Sequence, residues 1–196
     1  MVMERPSNAK DLFEVSKEIG AISEEPSKII FRQIVSTCAE LHRRGILHRD
    51  IKDENILLDL ATLETKIIDF GCATTFNYDK VYTELSGTPE FLAPEVLSPT
   101  ECRYRAEPSA VWTLGTLLYV LLLGEIPFET TDQILSNKRP KVTIISRHCS
   151  FNSSSHQDTE QLLSPSAQNL LQEMLNSDPN KRPSLESILE HKWLSQ

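Results

Sequence analysis

Asp50, Lys52 and Asn55 lie within the run His48-Arg49-Asp50-Ile51-Lys52-Asp53-Glu54-Asn55, and Asp69 opens Asp69-Phe70-Gly71 fourteen residues after Asn55. A stretch of mixed charge is ordinarily just a solvated loop. Here its order supplies a carboxylate, an ammonium, an amide and a second carboxylate at a spacing that suits phosphoryl transfer. That chemistry needs a base beside the attacking hydroxyl. It also needs oxygen ligands for the magnesium ions that neutralise phosphate charge. Asp50 fits the base, and Asn55 and Asp69 fit the metal.

These residues need elements to hold them. A short helix is expected near Asp11 to Lys17, closed by Gly20. Ser23 reads as the N-cap of the next, with Glu24 and Glu25 at its positive end and Pro26 in its first turn. Ile30, Ile34, Cys38 and Leu41 then repeat at helical spacing up to Gly45, so this helix delivers the chain into the charged run. Ile56-Leu57-Leu58 and Thr65-Lys66-Ile67-Ile68 read as a small β-hairpin, expected to hold Asn55 and Asp69 at its opposite ends. Residues 71–95 show no sustained period. Ala110 to Leu123 is apolar on nearly every side, follows Pro108 and stops at Gly124. A fourteen-residue segment is shorter than the roughly twenty residues that span a bilayer, so a buried central helix is expected. Further helices are expected at Ser166 to Leu175 and Ser184 to Trp193, and Val2 to Pro6 reads as a strand end entering a loop.

With 196 residues, one compact domain is expected. The net charge of −8 argues against general binding to nucleic acid or acidic membrane and is compatible with a basic substrate. Cys38, Cys72, Cys102 and Cys149 form no C-x-x-C pair, which suits free thiols in a reducing compartment. Cys38 and His42 sit one helical turn apart, but without a second ligand pair no zinc site is expected. Residues 1–10 have no apolar core after a basic start, so an intracellular protein, in cytoplasm and nucleus, is expected.

Taken in order, H-R-D-I-K-D-E-N, D-F-G, G-T-P-E-F and A-P-E resemble the lower lobe of a eukaryotic protein kinase, an α+β, mainly α fold. Lys52 and Thr88 hold positions that match serine/threonine kinases. The resemblance implies that Lys52 steadies the transferred phosphate and that Thr88 braces Asp50. Glu4-Arg5-Pro6, Val81-Tyr82-Thr83, Ser109-Ala110-Val111-Trp112-Thr113-Leu114-Gly115 and Gly124 to Glu129 are similar to the Pim kinases. Most protein kinases have an aspartate where Ala110 stands, and the Pim family also lacks it. Residues 1–7 then match the hinge and 8–196 the lower lobe, with 150–160 a flexible serine-rich insertion.

The same resemblance implies ATP and Mg2+ as cofactors and a monomer. Glu4 and Arg5 would touch adenine, and Leu57 and Ile68 would lie beneath it. Basic, Arg/Lys-rich protein substrates would be read by Asp11, Glu14, Asp53, Glu54, Glu125 and Asp132, although a single exposed carboxylate is ordinarily just solvated. Glu95 and Arg182 would form a buried ion pair. The glycine-rich loop, the strand lysine and the helix glutamate that complete a kinase are absent from these 196 residues, so the chain alone is expected to have activity near zero. A catalytically inactive truncated fold that binds substrates or regulators is the alternative.

Overall fold

A computed structural model of the chain describes residues 9–136, 145–148 and 159–195. The strand expected near residues 2–6 and most of the serine-rich insertion lie outside these residues. Thr159 and Glu160, placed in the insertion by sequence, instead belong to a strand.

Strand β1, Ala9–Asp11, leads into helix α1, Leu12–Ile19. Asp11 caps this helix, its carboxylate accepting the Glu14 N–H at 2.7 Å. The long helix α2, Glu24–Arg43, buries Ile30, Phe31, Ile34, Val35 and Cys38 along one face. Ser23 stands at its N-terminus, yet its side chain makes no capping bond. Glu24 points elsewhere. Its carboxylate accepts the Ser164 N–H at 2.6 Å, the Ser164 hydroxyl at 2.7 Å and the Trp193 indole N–H at 2.7 Å. One side chain thus joins the start of α2 to two later helices.

Past Gly45 the chain forms β2, Ile46–Leu47, and then β3, Ile56–Asp59, and β4, Thr65–Ile67. Strands β3 and β4 are antiparallel, and β1 adds a third strand on the outer side of β3 that the sequence did not signal. Pairing Ile56 with Ile67 corrects one expectation. Asn55 precedes β3 and Asp69 follows β4, so both emerge at the same end of the hairpin, where the Ile68 N–H bonds to the Asn55 carbonyl at 2.9 Å. An antiparallel hairpin must return its chain ends to one side.

The segment after Asp69 is mostly irregular. It includes β5, Thr74–Thr75, paired with β2, and β6, Val81–Tyr82, paired with β7, Tyr104–Arg105. Between β6 and β7 lies helix α3, Pro94–Leu97. Helix α4 runs Ala106–Leu123, starting four residues before the expected Ala110. Pro108 sits inside its first turn, where no N–H is required. At 18 residues and a mean hydropathy of 1.4, this helix is long and apolar enough to cross a membrane, so the length argument fails. Burial decides instead: 78% of it is inside the protein. It is the core helix around which the others pack.

Helix α5, Thr131–Leu135, and the antiparallel pair β8, Ile145–His148, and β9, Thr159–Leu162, follow. Helix α6, Pro165–Met174, lies against α4 at Gly115, where a Cβ would stand 3.0 Å from Leu175 and Met174 side chains. The final expected helix is two short ones, α7, Leu185–Leu189, and α8, Lys192–Ser195. Ser184 caps the first, accepting the Ser187 N–H.

Candidate active site

Helix α2 and strand β2 deliver residues 48–55 to the open end of the β3–β4 hairpin. The backbone there is bent tightly. Arg49 and Asp69 take left-handed conformations, at φ 67° and 60°. For residues other than glycine this costs about 1–3 kcal/mol each and persists only when surrounding contacts enforce it.

Those contacts are specific. Asp50 is half-buried, and its carboxylate is held on both oxygens: the Thr88 hydroxyl donates to Oδ1 at 2.8 Å and the Asn55 side-chain NH2 to Oδ2 at 3.1 Å. Asn55 also donates to the Asp50 carbonyl at 2.8 Å. Because the NH2 group is spent in this way, the Asn55 amide oxygen is left as an acceptor. Asp69 is exposed, and its Oδ1 accepts the Gly71 N–H at 3.0 Å. Asn55 and Asp69 therefore offer hard oxygen donors from adjoining backbone, a set that fits Mg2+.

Lys52 is engaged with Glu54, Nζ to Oε2 at 2.5 Å. The Glu54 carboxylate, and then Asp50, hold the ammonium above its usual pKa, so it remains charged.

Two neighbours of Asp50 carry weight that sequence reasoning left unassigned, although both sit in the H-R-D run. His48 is buried, and its Nδ1 accepts the Asp50 N–H at 3.3 Å. Its Nε2 must then carry the proton and donate to the Ile68 carbonyl at 3.2 Å. Burial lowers its pKa and keeps the ring neutral in that tautomer. The His48 ring also meets Phe70 edge-on, with centroids 4.8 Å apart. Arg49 donates to the Cys72 carbonyl at 2.7 Å and to Glu84 at 3.1 Å. It thereby ties the 48–55 loop to the segment that carries Thr88. The two strands of chain come closest at Gly87, φ 111°, where a Cβ would lie 2.4 Å from the Arg49 carbonyl oxygen. Only glycine fits there.

Leu57 and Ile68 are half-buried. Strand alternation turns Leu57 away from the buried Ile56 and Leu58, toward the open face of the sheet. Glu4 and Arg5 fall outside the described residues. Among the acidic positions, Glu14, Glu54, Glu125 and Asp132 are exposed. Asp11 is occupied as the cap of α1. Asp53 corrects the sequence reading: it is only 8% exposed, burial raises its pKa, and its Oδ1 accepts the Glu54 N–H at 3.1 Å. The short 3-10 turn Asp53–Asn55 packs against α1 and β1, which leaves this carboxylate little contact with solvent.

Glu95 and Arg182 pair bidentately at 2.7 and 2.8 Å. Arg182 also donates to the Asn176 and Pro108 carbonyls at 2.7 and 2.8 Å, and its guanidinium lies 5.0 Å from the Trp112 ring centroid. Among the described residues no cluster of three or more His, Cys, Asp or Glu forms a metal site.

The protein kinase domain family matches this chain over residues 1–194. Similar proteins include serine/threonine-protein kinase pim-2 of Danio rerio, 37% identical over 196 residues, which is all of this chain and 56% of that protein. Serine/threonine-protein kinase prk-2 of Caenorhabditis elegans is 37% identical over 205 residues, all of this chain and 41% of that protein. Calcium-dependent protein kinase 7 of Oryza sativa subsp. japonica is 38% identical over 190 residues, 95% of this chain and 32% of that protein. The chain thus spans about half or less of the length of these relatives.

Proposed function

The chain belongs to the protein kinase domain family, and from that premise we propose that it carries the phosphoryl-transfer machinery of a serine/threonine kinase acting on basic protein substrates. The carrying observation is Asp50, fixed on one oxygen by Thr88 and on the other by Asn55. Each carboxylate oxygen has a second lone pair. Asp50 can therefore accept a substrate hydroxyl proton as that oxygen attacks the terminal phosphorus of ATP, with ADP leaving. Thr88 and Asn55 fix the direction in which the carboxylate presents itself, which positions the hydroxyl for in-line attack. Lys52 supplies positive charge two residues away and, with a phosphate in place, exchanges Glu54 for it.

Asn55 and Asp69 would hold Mg2+, which when bound neutralises charge on the phosphates. Leu57 and Ile68 offer the adenine ring an apolar floor. The exposed carboxylates Glu14, Glu125 and Asp132 support a preference for arginine- or lysine-rich sequences, in the manner of a Pim-like enzyme. The intact polar set favours this reading over a non-catalytic binding module.

The test is phosphate transfer from Mg-ATP to an arginine-rich serine peptide, with Asp50→Asn and Asp69→Asn as controls. Transfer by the 196-residue chain, lost in both controls, supports the proposal. If the folded chain gives no transfer, the protein joined to a glycine-rich upper lobe is assayed next. Transfer there that survives Asp50→Asn would overturn the assignment.

A further inference from the structure

Lys52 and Glu54 stand on the same side of the 48–55 loop. Ile51, Asp53 and Asn55 are 5%, 8% and 6% exposed, so alternate side chains are buried and the two between them turn outward. Lys52 is extended, at φ −155° and ψ 169°, just ahead of the 3-10 turn, and its Nζ reaches Glu54 Oε2 at 2.5 Å. Neither has another ion-pair partner among the described residues.

Water reaches this pair, with side-chain exposures of 17% and 52%. An ion pair of that kind is worth a factor of up to about five in an equilibrium, the equivalent of about 1 kcal/mol. Both members have a second use. Under the proposed function Lys52 goes to the transferred phosphate, and Glu54 is an exposed carboxylate beside the acceptor site, one residue from the Asn55 that holds Asp50. Each use breaks the same pair. Whichever ligand arrives first meets that cost, and the second finds its partner free, so the two bindings favour each other.

Arginine is the cation suited to this exchange. Its planar guanidinium meets a carboxylate through two parallel N–H bonds, whereas the lysine ammonium is a point charge. The arginine of the loop itself is occupied, because Arg49 donates to the Cys72 carbonyl and to Glu84. Glu54 is the main reason that the Lys52 pKa stands above its usual value, and after release Asp50 and Asp53 still favour the charged form.

We propose that Glu54 is an exchange point: an arginine of the substrate displaces Lys52 from it and so delivers the ammonium to the phosphate. Recognition of a basic sequence is thereby coupled to phosphoryl transfer as well as to affinity. The coupling to phosphate rests on the kinase function proposed above; the displacement itself does not.

Binding of an arginine-rich serine peptide to the 196-residue chain is measured by calorimetry, with a citrulline-substituted peptide as the uncharged control. Glu54→Gln should weaken the arginine peptide. Lys52→Met should tighten it, by up to about fivefold, because Glu54 loses its internal competitor. In the Glu54→Gln background that gain should disappear, which a double-mutant cycle reads directly. The citrulline peptide should respond to neither substitution. The displacement is overturned if the arginine peptide does not bind, if Glu54→Gln leaves its affinity unchanged, or if the gain from Lys52→Met is equal in both backgrounds. In the form of the protein that transfers phosphate, citrulline for arginine should lower kcat by up to about fivefold as well as raise KM, and an unchanged kcat overturns the coupling. If no form transfers phosphate, the coupling falls with the kinase function, while the binding cycle still decides the displacement.

Discussion

Two arginine–glutamate pairs hold the segment between Asp69 and α4, one near each end, and they are built differently. Arg182 and Glu95 meet bidentately with side-chain exposures of 0% and 15%, and the guanidinium is further held by backbone carbonyls and an indole face. Arg49 and Glu84 meet through one contact of 3.1 Å, with Glu84 at 78% exposure. The first pair is inseparable from the core. The second is a solvent-facing tie whose strength is that of a surface ion pair, about 0–1 kcal/mol. The difference teaches that the A-P-E end of the segment is a fixed part of the fold, whereas its D-F-G end depends on weaker contacts clustered about the 48–55 loop.

The largest effect that sharpens this contrast is expected from Arg182→Ala. It leaves the Glu95 carboxylate buried and unpaired and should cost about 3–5 kcal/mol, read as a lower urea midpoint at unchanged slope. A loss below about 1 kcal/mol would erase the distinction between the pairs.

Gly87→Ala comes next. It forces a Cβ against the Arg49 carbonyl at a φ that side chains avoid, with an expected cost of roughly 3 kcal/mol. Crystallographic separation of Thr88 from Asp50 should accompany it. An unchanged Thr88–Asp50 bond with unchanged stability would show that the two backbones have slack.

Acid should act first on α2 and the 48–55 loop. His42 on α2 packs on Phe76, and burial lowers its pKa from 6.5 to about 4, against a weaker upward pull from Glu186. The folded value lies below the unfolded one, so its contribution is full above pH 6.5 and is lost as pH falls toward the folded value. Roughly 2 kcal/mol should be gone by pH 5. His48, also lowered by burial, adds a loss of the same sign. Urea midpoints measured against pH should show this slope, reduced in His42→Phe; an identical slope in the variant would assign the titration elsewhere.

The smallest effect is expected for Glu84→Gln, at most about 1 kcal/mol of stability. Its signature is local: hydrogen exchange should quicken at residues 82–88 and leave Glu95 and Arg182 protected. Equal quickening at both ends would merge the two ties into one cooperative unit.

Much of this arrangement was legible in the sequence. The apolar repeat of Ile30, Ile34 and Cys38 marks α2, and the hairpin follows from two short β-type runs around a turn-prone stretch. Asp50, Asn55 and Asp69 could be grouped because phosphoryl transfer demands their types at close quarters. The rest depends on distance in space. Ala9–Asp11 forms a strand because β3 offers it an open edge, which no local pattern announces. Ser23 looks like a cap by position, while nothing around it indicates that Glu24 is directed to Ser164 and Trp193. Asp53 reads as a surface acid until the 3-10 turn is seen to rotate it inward. The misjudged polar residues are set by how elements pack in space, as Glu24 is by Ser164 and Trp193, and periodicity reports only on neighbours.

The three bonds of Glu24 have a consequence for how the fold is reached. Trp193 lies 169 residues beyond its partner, so that the bond closes a loop nearly as long as the described chain. The entropy of closure grows only slowly with length, but the contact cannot form before residue 193 has been synthesised and released. Until then the Glu24 carboxylate lacks its indole donor, and Phe31, whose ring centroid packs 6.2 Å from that of Trp193, lacks its cover. The lobe therefore completes its packing only once Trp193 has joined it, and a nascent chain interrupted before Trp193 would present Phe31 to chaperones.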